Sequence, residues 1–214
     1  MIINEKLGFI YIHIPKTGGN SILRPLFESD CPEGNVVYND MLVEDNGISM
    51  YPWNFNHGHG AIERNTIVDS DYFSFAFVRN PWDRLVSLYH WRFRVAHLSH
   101  EDVSKITFKE FVICLRDGSL ESPGHFNMLA WPQSHWTHDG EGCPLDFIGR
   151  LENIERDFAH VCDVLDIDII KPRILNKNRS RKCDDYRTYY DDESIAIASD
   201  LYHQDIANFG YSFG

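Results

Sequence analysis

Gly8-Phe9-Ile10-Tyr11-Ile12-His13-Ile14-Pro15-Lys16-Thr17-Gly18-Gly19-Asn20-Ser21-Ile22 is the stretch on which the fold turns. Its apolar, β-branched first half predicts a buried strand, and Pro15 with the Gly18-Gly19 pair predicts a tight loop directly after it. Ile22, Leu23, Leu26 and Phe27 then recur at helical spacing, with Pro25 restricting the helix to a start in its first turn or to a kink. The unit is strand, glycine loop, helix.

A second unit of the same kind lies at 72–93. Tyr72 to Val78 is an apolar run; Asn80 is placed to cap a helix, Pro81 suits its first position, and Asp83 adds acid to its first turn. Leu85, Val86, Tyr89 and Phe93 form the stripe of an amphipathic helix. Residues 30–60 have little periodicity and are expected to be rich in loops. Thr107-x-x-Glu110 has the form of a capping box before Phe111, Val112 and Leu115. Phe147-Ile148 is a third short apolar segment, followed by a helical pattern from about Asn153 to Val164. The last helix is expected from about Asp192 to Asn208, with Gly210 just beyond it. Strands alternating with helices predict an α/β fold: a single domain over residues 1–214, a central, mainly parallel sheet flanked by helices, and a P-loop-like nucleotide-binding arrangement.

Twenty Lys and Arg against 32 Asp and Glu give a net charge of −12, which argues against general nucleic-acid binding. No run approaches the ~18 apolar residues of a membrane span, and Met1 to Leu7 lacks the order of a signal peptide. A soluble, cytoplasmic protein is expected. Cys31, Cys114, Cys143, Cys162 and Cys183 are odd in number and contain no C-x-x-C pair, so neither a disulfide framework nor a thiolate zinc site is predicted. The positive charge is concentrated: 171–182 holds six basic and no acidic residues, and 79–94 holds Arg79, Arg84, Arg92 and Arg94 against Asp83 alone. Two readings remain open, a focused pocket for a small anion or a solvated basic loop paired with Asp191-Asp192-Glu193.

Pro15 to Ser21 has the make-up of an anion cradle. Glycines let backbone N–H groups turn onto a phosphate, the helix start adds partial positive charge, and Thr17, Asn20 and Ser21 bring side-chain donors. It is not a Walker A sequence, whose lysine follows its glycines. Here Lys16 comes first, placed to neutralise charge on a leaving phosphate oxygen.

FIYIHIPKTGGNSI (9–22) and FAFVRNPWDRLVSLYH (75–90) together resemble the sulfotransferases that use 3′-phosphoadenosine 5′-phosphosulfate. The resemblance implies that Pro15, Lys16, Thr17, Gly18, Gly19, Asn20 and Ser21 bind the 5′-phosphosulfate, and that Arg79 and Ser87 bind the 3′-phosphate. DFIGRLENIERDF (146–158) and YHQDIANFGYSF (202–213) are similar to the branch acting on glycan hydroxyls, including the heparan and chondroitin enzymes, whereas 30–50 and 95–140 match weakly. Asn20 stands where the family commonly has threonine and Asn80 where it often has aspartate. His57-Gly58-His59 is similar to the motif of the heparan sulfate 2-O-sulfotransferases, which implies His59 as general base and His57 as its support. Arg179, Ser180 and Lys182 fall where the family carries a loop closing over the nucleotide.

The expected chemistry is in-line sulfuryl transfer to a hydroxyl, that of a glycan or glycolipid, with no metal ion. A metal site built on His57 and His59 with His97 and His100, or with His135 and His138, lacks the carboxylate or thiolate of a recognisable zinc motif. His13 is expected to be a core residue, and the five tryptophans to pack in the core or at its rim. Two other functions stay open: an ATP-dependent kinase, and a binding module for nucleotide or sulfated glycan without turnover. The charge of −12 leaves a neutral glycan, a lipid-linked sugar and a small alcohol all possible as acceptors, and oligomeric state is open.

Overall fold

The apolar run after Gly8 forms a fully paired strand. In the computed structural model β1 (Ile2–Asn4) and β2 (Phe9–Ile12) are antiparallel, with Asn4 accepting from the Leu7 N–H at 2.9 Å in the turn between them. β3 (Val36–Tyr38) pairs antiparallel with β1, while β4 (Phe73–Val78) lies parallel to β2 and β5 (Phe147–Arg150) parallel to β4. The order is β3-β1-β2-β4-β5, so the three apolar runs predicted as strands form the parallel part and two short strands extend its edge. The structure describes residues 2–4, 7–28, 36–38, 71–99, 106–120, 129–168 and 183–214.

The chain divides into two compact units, Met1–Val78 with His135–Leu175, and Arg79–Ser134 with Asn176–Gly214. The first holds the sheet. α1 (Gly19–Glu28) and α5 (Ile154–Val164) lie against one face of it, where Ile22, Leu26, Ile154, Phe158 and Val161 meet Phe9, Tyr11, Phe75 and Phe77 in one core. Burying each such aromatic contributes about 1.5–3 kcal/mol. Ile10, Ile12, Ala76 and Val78, at the alternate positions, are also buried, which is why these strands read as continuous apolar runs rather than as alternation. Pro25 is the seventh residue of α1, so the helix runs past it instead of starting there; the missing N–H forfeits a bond to the Ser21 carbonyl.

In the second unit, Asn80 caps α2 (Pro81–Ser99) as its sequence position predicts, its Oδ1 accepting from the N–H groups of Trp82 and Asp83 at 3.1 and 3.2 Å. The capping box also forms, Thr107 and Glu110 exchanging bonds at the start of α3 (Phe108–Asp117). A short turn of helix, α4 (Ser134–Thr137), precedes β5 in the chain. The expected last helix is two, α6 (Asp192–Leu201) and α7 (His203–Phe209). The break falls at Tyr202, whose ring is buried and whose hydroxyl donates to the Ala130 carbonyl at 2.8 Å. Phe213 of the tail contacts Trp82, Tyr186 and Tyr190 edge-on. No helix among the described residues is long and apolar enough to cross a membrane.

Candidate functional site

The loop after β2 is held from within, by backbone bonds and by the Thr17 side chain. Lys16 adopts φ 69°, a left-handed conformation that costs a side-chain-bearing residue about 1–2 kcal/mol, and Gly18 follows at φ 84°. The Thr17 hydroxyl donates to the Ile14 carbonyl at 2.9 Å, and the Ser21 N–H to the Gly18 carbonyl at 2.8 Å as α1 begins. Thr17 is fully buried, so its side chain braces the loop, and the hydroxyl proton expected to face an anion is spent on Ile14. The first turn of α1 carries no acidic residue, which leaves the partial positive charge of the helix start unopposed by a carboxylate of its own.

Each glycine of the pair has its own necessity. A Cβ on Gly18 would come within 2.5 Å of Leu151 Cδ1, besides being strained by the positive φ. A Cβ on Gly19 would run into the His13 imidazole. His13 thus lies one residue past β2 and under the start of α1, not inside the strand core as its place in the apolar run suggests. Burial, with nearby positive charge including that of Lys16, lowers its pKa to about 4, so the ring is neutral at pH 7.

In the second unit, Arg79 leads from β4 into α2. Its Nε and Nη2 both donate to Asp83 Oδ2, at 2.9 and 2.7 Å, fixing the guanidinium along the helix. Asp83 and Ser87 are four residues apart, on one face of α2, and Arg79 reaches Asp83 from just before the helix. The backbone of Arg79 is held too. The buried Gln133 carboxamide accepts from the Arg79 N–H and donates to the Arg79 carbonyl, both at 2.8 Å. Asp205 in turn accepts from the Gln133 N–H at 2.7 Å, from Gln133 Nε2 at 3.2 Å and from the Ser134 N–H at 2.7 Å. Arg84 is almost fully buried; its guanidinium donates to the carbonyls of Leu129 and Trp131 at 2.8 and 2.9 Å, and burial lowers its pKa. Sequence reading misses Gln133 and Asp205, because neither belongs to a motif near Arg79; the one available signal is that Asp205 lies in the 202–213 tail.

His57, His59, Arg179, Ser180 and Lys182 lie outside the described residues; Asn20 is placed in the first turn of α1, and its side chain is not among those described. Asp191 and Glu193 of the acidic run are engaged by Lys109, at 2.8 and 2.6 Å. His135 is exposed and His138 meets the Thr137 hydroxyl at 2.8 Å; no metal-binding group of three or more His, Cys, Asp or Glu occurs among the described residues. Among the described residues, no disulfide joins Cys114, Cys143, Cys162 and Cys183 to one another.

Comparison with known proteins matches residues 1–212 to the Sulfotransferase family. Carbohydrate sulfotransferase 12 of Xenopus laevis is 27% identical, with 99% of this chain and 60% of that protein covered. Its namesake from Mus musculus is 23% identical, over 99% of this chain and 59% of that protein. The chain therefore spans about 60% of the length of these relatives. A solved sulfotransferase from Alicyclobacillus acidocaldarius covers 66% of this chain and 58% of its own at 16% identity, with a TM-score of 0.33. A match that takes in the glycine loop, the Arg79 segment and the tail alike places this chain in the sulfotransferase family.

Proposed function

We propose that this protein transfers a sulfuryl group from 3′-phosphoadenosine 5′-phosphosulfate to a hydroxyl of a saccharide, on a glycan or glycolipid, and that residues 1–214 act as one sulfotransferase domain. The observation that carries this reading is the loop of Lys16 to Gly19, strained at Lys16 and delivered to a helix start with no acid in its first turn. Strain of this kind persists where the surrounding structure enforces it, and functional loops are where it gathers. The strand, loop and helix would serve the nucleotide's 5′ end in the P-loop-like manner with a different lysine order. Family membership and the likeness to proteins named carbohydrate sulfotransferases support the donor and the acceptor class respectively.

In this mechanism Pro15 to Ser21 cradle the 5′-phosphosulfate. Lys16 Nζ donates to the phosphate oxygen that takes up charge as its bond to sulfur breaks. His59, assisted by His57, accepts the hydroxyl proton as the acceptor oxygen bonds to sulfur, and a sulfate ester and adenosine 3′,5′-bisphosphate result. Arg79 and Ser87 hold the 3′-phosphate, with Arg179, Ser180 and Lys182 on the nucleotide side. Lys16, the loop and Arg79 serve as donors to the phosphates and His59 as proton acceptor, and the reading calls for no metal ion.

Titration with adenosine 3′,5′-bisphosphate, AMP and ATP tests the donor: the bisphosphate is expected to bind tightest, and preference for ATP would favour a kinase. With radiolabelled donor and a panel of neutral and anionic saccharides, Lys16→Ala and His59→Ala are expected to lose about 10²-fold or more in turnover. Unchanged turnover in both would overturn the mechanism. Tight bisphosphate binding with no turnover on any acceptor would make the protein a binding module.

A further inference from the structure

The functional reading assigns Arg79 a ligand but leaves open what aims it. Arg79 sits one residue beyond β4, where the strand ladder ends, and such a position has backbone freedom unless something replaces the ladder. Gln133 supplies that replacement. Its carboxamide bonds the N–H and the C=O of the same residue, each at 2.8 Å, as a neighbouring peptide would. Gln133 is itself anchored: it is fully buried, and its own N–H and Nε2 both donate to the buried Asp205. The segment behind it is clamped by Arg84 on the Leu129 and Trp131 carbonyls and by Tyr202 on the Ala130 carbonyl. Asp83 then fixes the other end of the side chain, through Nε and Nη2. The result is an arginine held at backbone and at guanidinium by two separate acidic anchors, Asp205 through Gln133 and Asp83 directly.

A solvent-exposed arginine used only for charge has no need of such support, since long-range attraction tolerates several ångströms of error. Bidentate recognition of one phosphate does not, because its two donors must meet two oxygens at once. We propose that Gln133, locked by Asp205, is a positioning residue for Arg79 and thereby sets the preference of this protein for a 3′-phosphorylated adenosine nucleotide over its 3′-hydroxyl counterpart. The inference rests on the reading of Arg79 as the 3′-phosphate ligand, and it goes beyond that reading by assigning the discrimination to two buried residues that touch no ligand.

The test measures the affinities of the full chain for adenosine 3′,5′-bisphosphate and for AMP by calorimetry and takes their ratio. Gln133→Met, which keeps length and removes both bonds to Arg79, is expected to lower the ratio about tenfold while leaving AMP binding within about twofold. Asp205→Asn keeps shape but places an amide hydrogen where a carboxylate oxygen accepts; a smaller fall in the ratio is expected, so the idea stays testable should Gln133→Met fail to fold. Loss of stability alone weakens both nucleotides in proportion and leaves the ratio unchanged. An unchanged ratio in folded variants, with Arg79→Lys still abolishing the preference, would overturn the positioning role and spare the functional reading. An unchanged ratio in Arg79→Lys as well would overturn both.

Discussion

Lys16, Gly18, Gly19 and His13 form a loop in which each residue type answers a different constraint. Gly18 satisfies φ 84° and the Leu151 contact, Gly19 leaves room for an imidazole, and Lys16 accepts a left-handed backbone in spite of its side chain. The neutral state of His13 has a measurable consequence. Its pKa is about 4 in the fold against an ordinary 6.5, so between these values the unfolded chain binds a proton that the folded protein does not. Stability contributed by the neutral ring is therefore complete above pH 6.5 and is lost as pH falls through the window toward 4, by an amount on the order of 1–3 kcal/mol. Urea denaturation between pH 7 and 4.5 checks it: His13→Gln, which cannot titrate, is expected to show a shallower decline than the parent protein. Equal slopes would mean that His13 is not the group responsible. The role of His13 was not legible from its neighbours, because an apolar run hides which of its members is the last in the strand.

The elements show how much local pattern suffices. Asn80 and the Thr107–Glu110 pair cap α2 and α3 as their spacing predicts, since a cap needs only residues within one turn of each other. The last helix shows the limit. Its apolar spacing continues through Tyr202, yet the helix breaks there, at a phenol that donates to the carbonyl of Ala130, 72 residues away in sequence. Burial raises the Tyr202 pKa to about 12, Arg84 pulling it the other way, so the hydroxyl stays a donor across the working range. Tyr202→Phe is expected to cost about 1 kcal/mol in denaturant-induced unfolding by removing that bond. No measurable loss would show that this bond adds nothing net to stability. β1 and β3 went unread for a related reason: three residues carry too little pattern to declare a strand, and the sheet edge they pair with exists only in the folded chain.

At the scale of the whole molecule, charge balance governs which partners are excluded. A chain of net charge −12 with half its basic residues in two stretches is expected to give no electrophoretic shift of duplex DNA at about 0.15 M salt, where screening leaves only strong local phosphate contacts. Retention of DNA at that salt would show that 79–94 and 171–182 form a nucleic-acid surface. The acidic run offers the basic loop less than its charge suggests, because Lys109 already engages Asp191 and Glu193. By itself the sequence determined the three parallel strands, the glycine loop, the caps of α2 and α3 and the family, because these depend on residues adjacent in the chain, on continuous apolar runs or on the 3.6-residue period. Only the tertiary structure decided that Thr17 braces its own loop, that His13 underlies Gly19, and that Gln133 and Asp205 hold Arg79. Those contacts join side chains to backbone groups that sequence leaves anonymous, across separations of up to 72 residues, and a buried amide or carboxylate finds its partner only when packing has removed water from both.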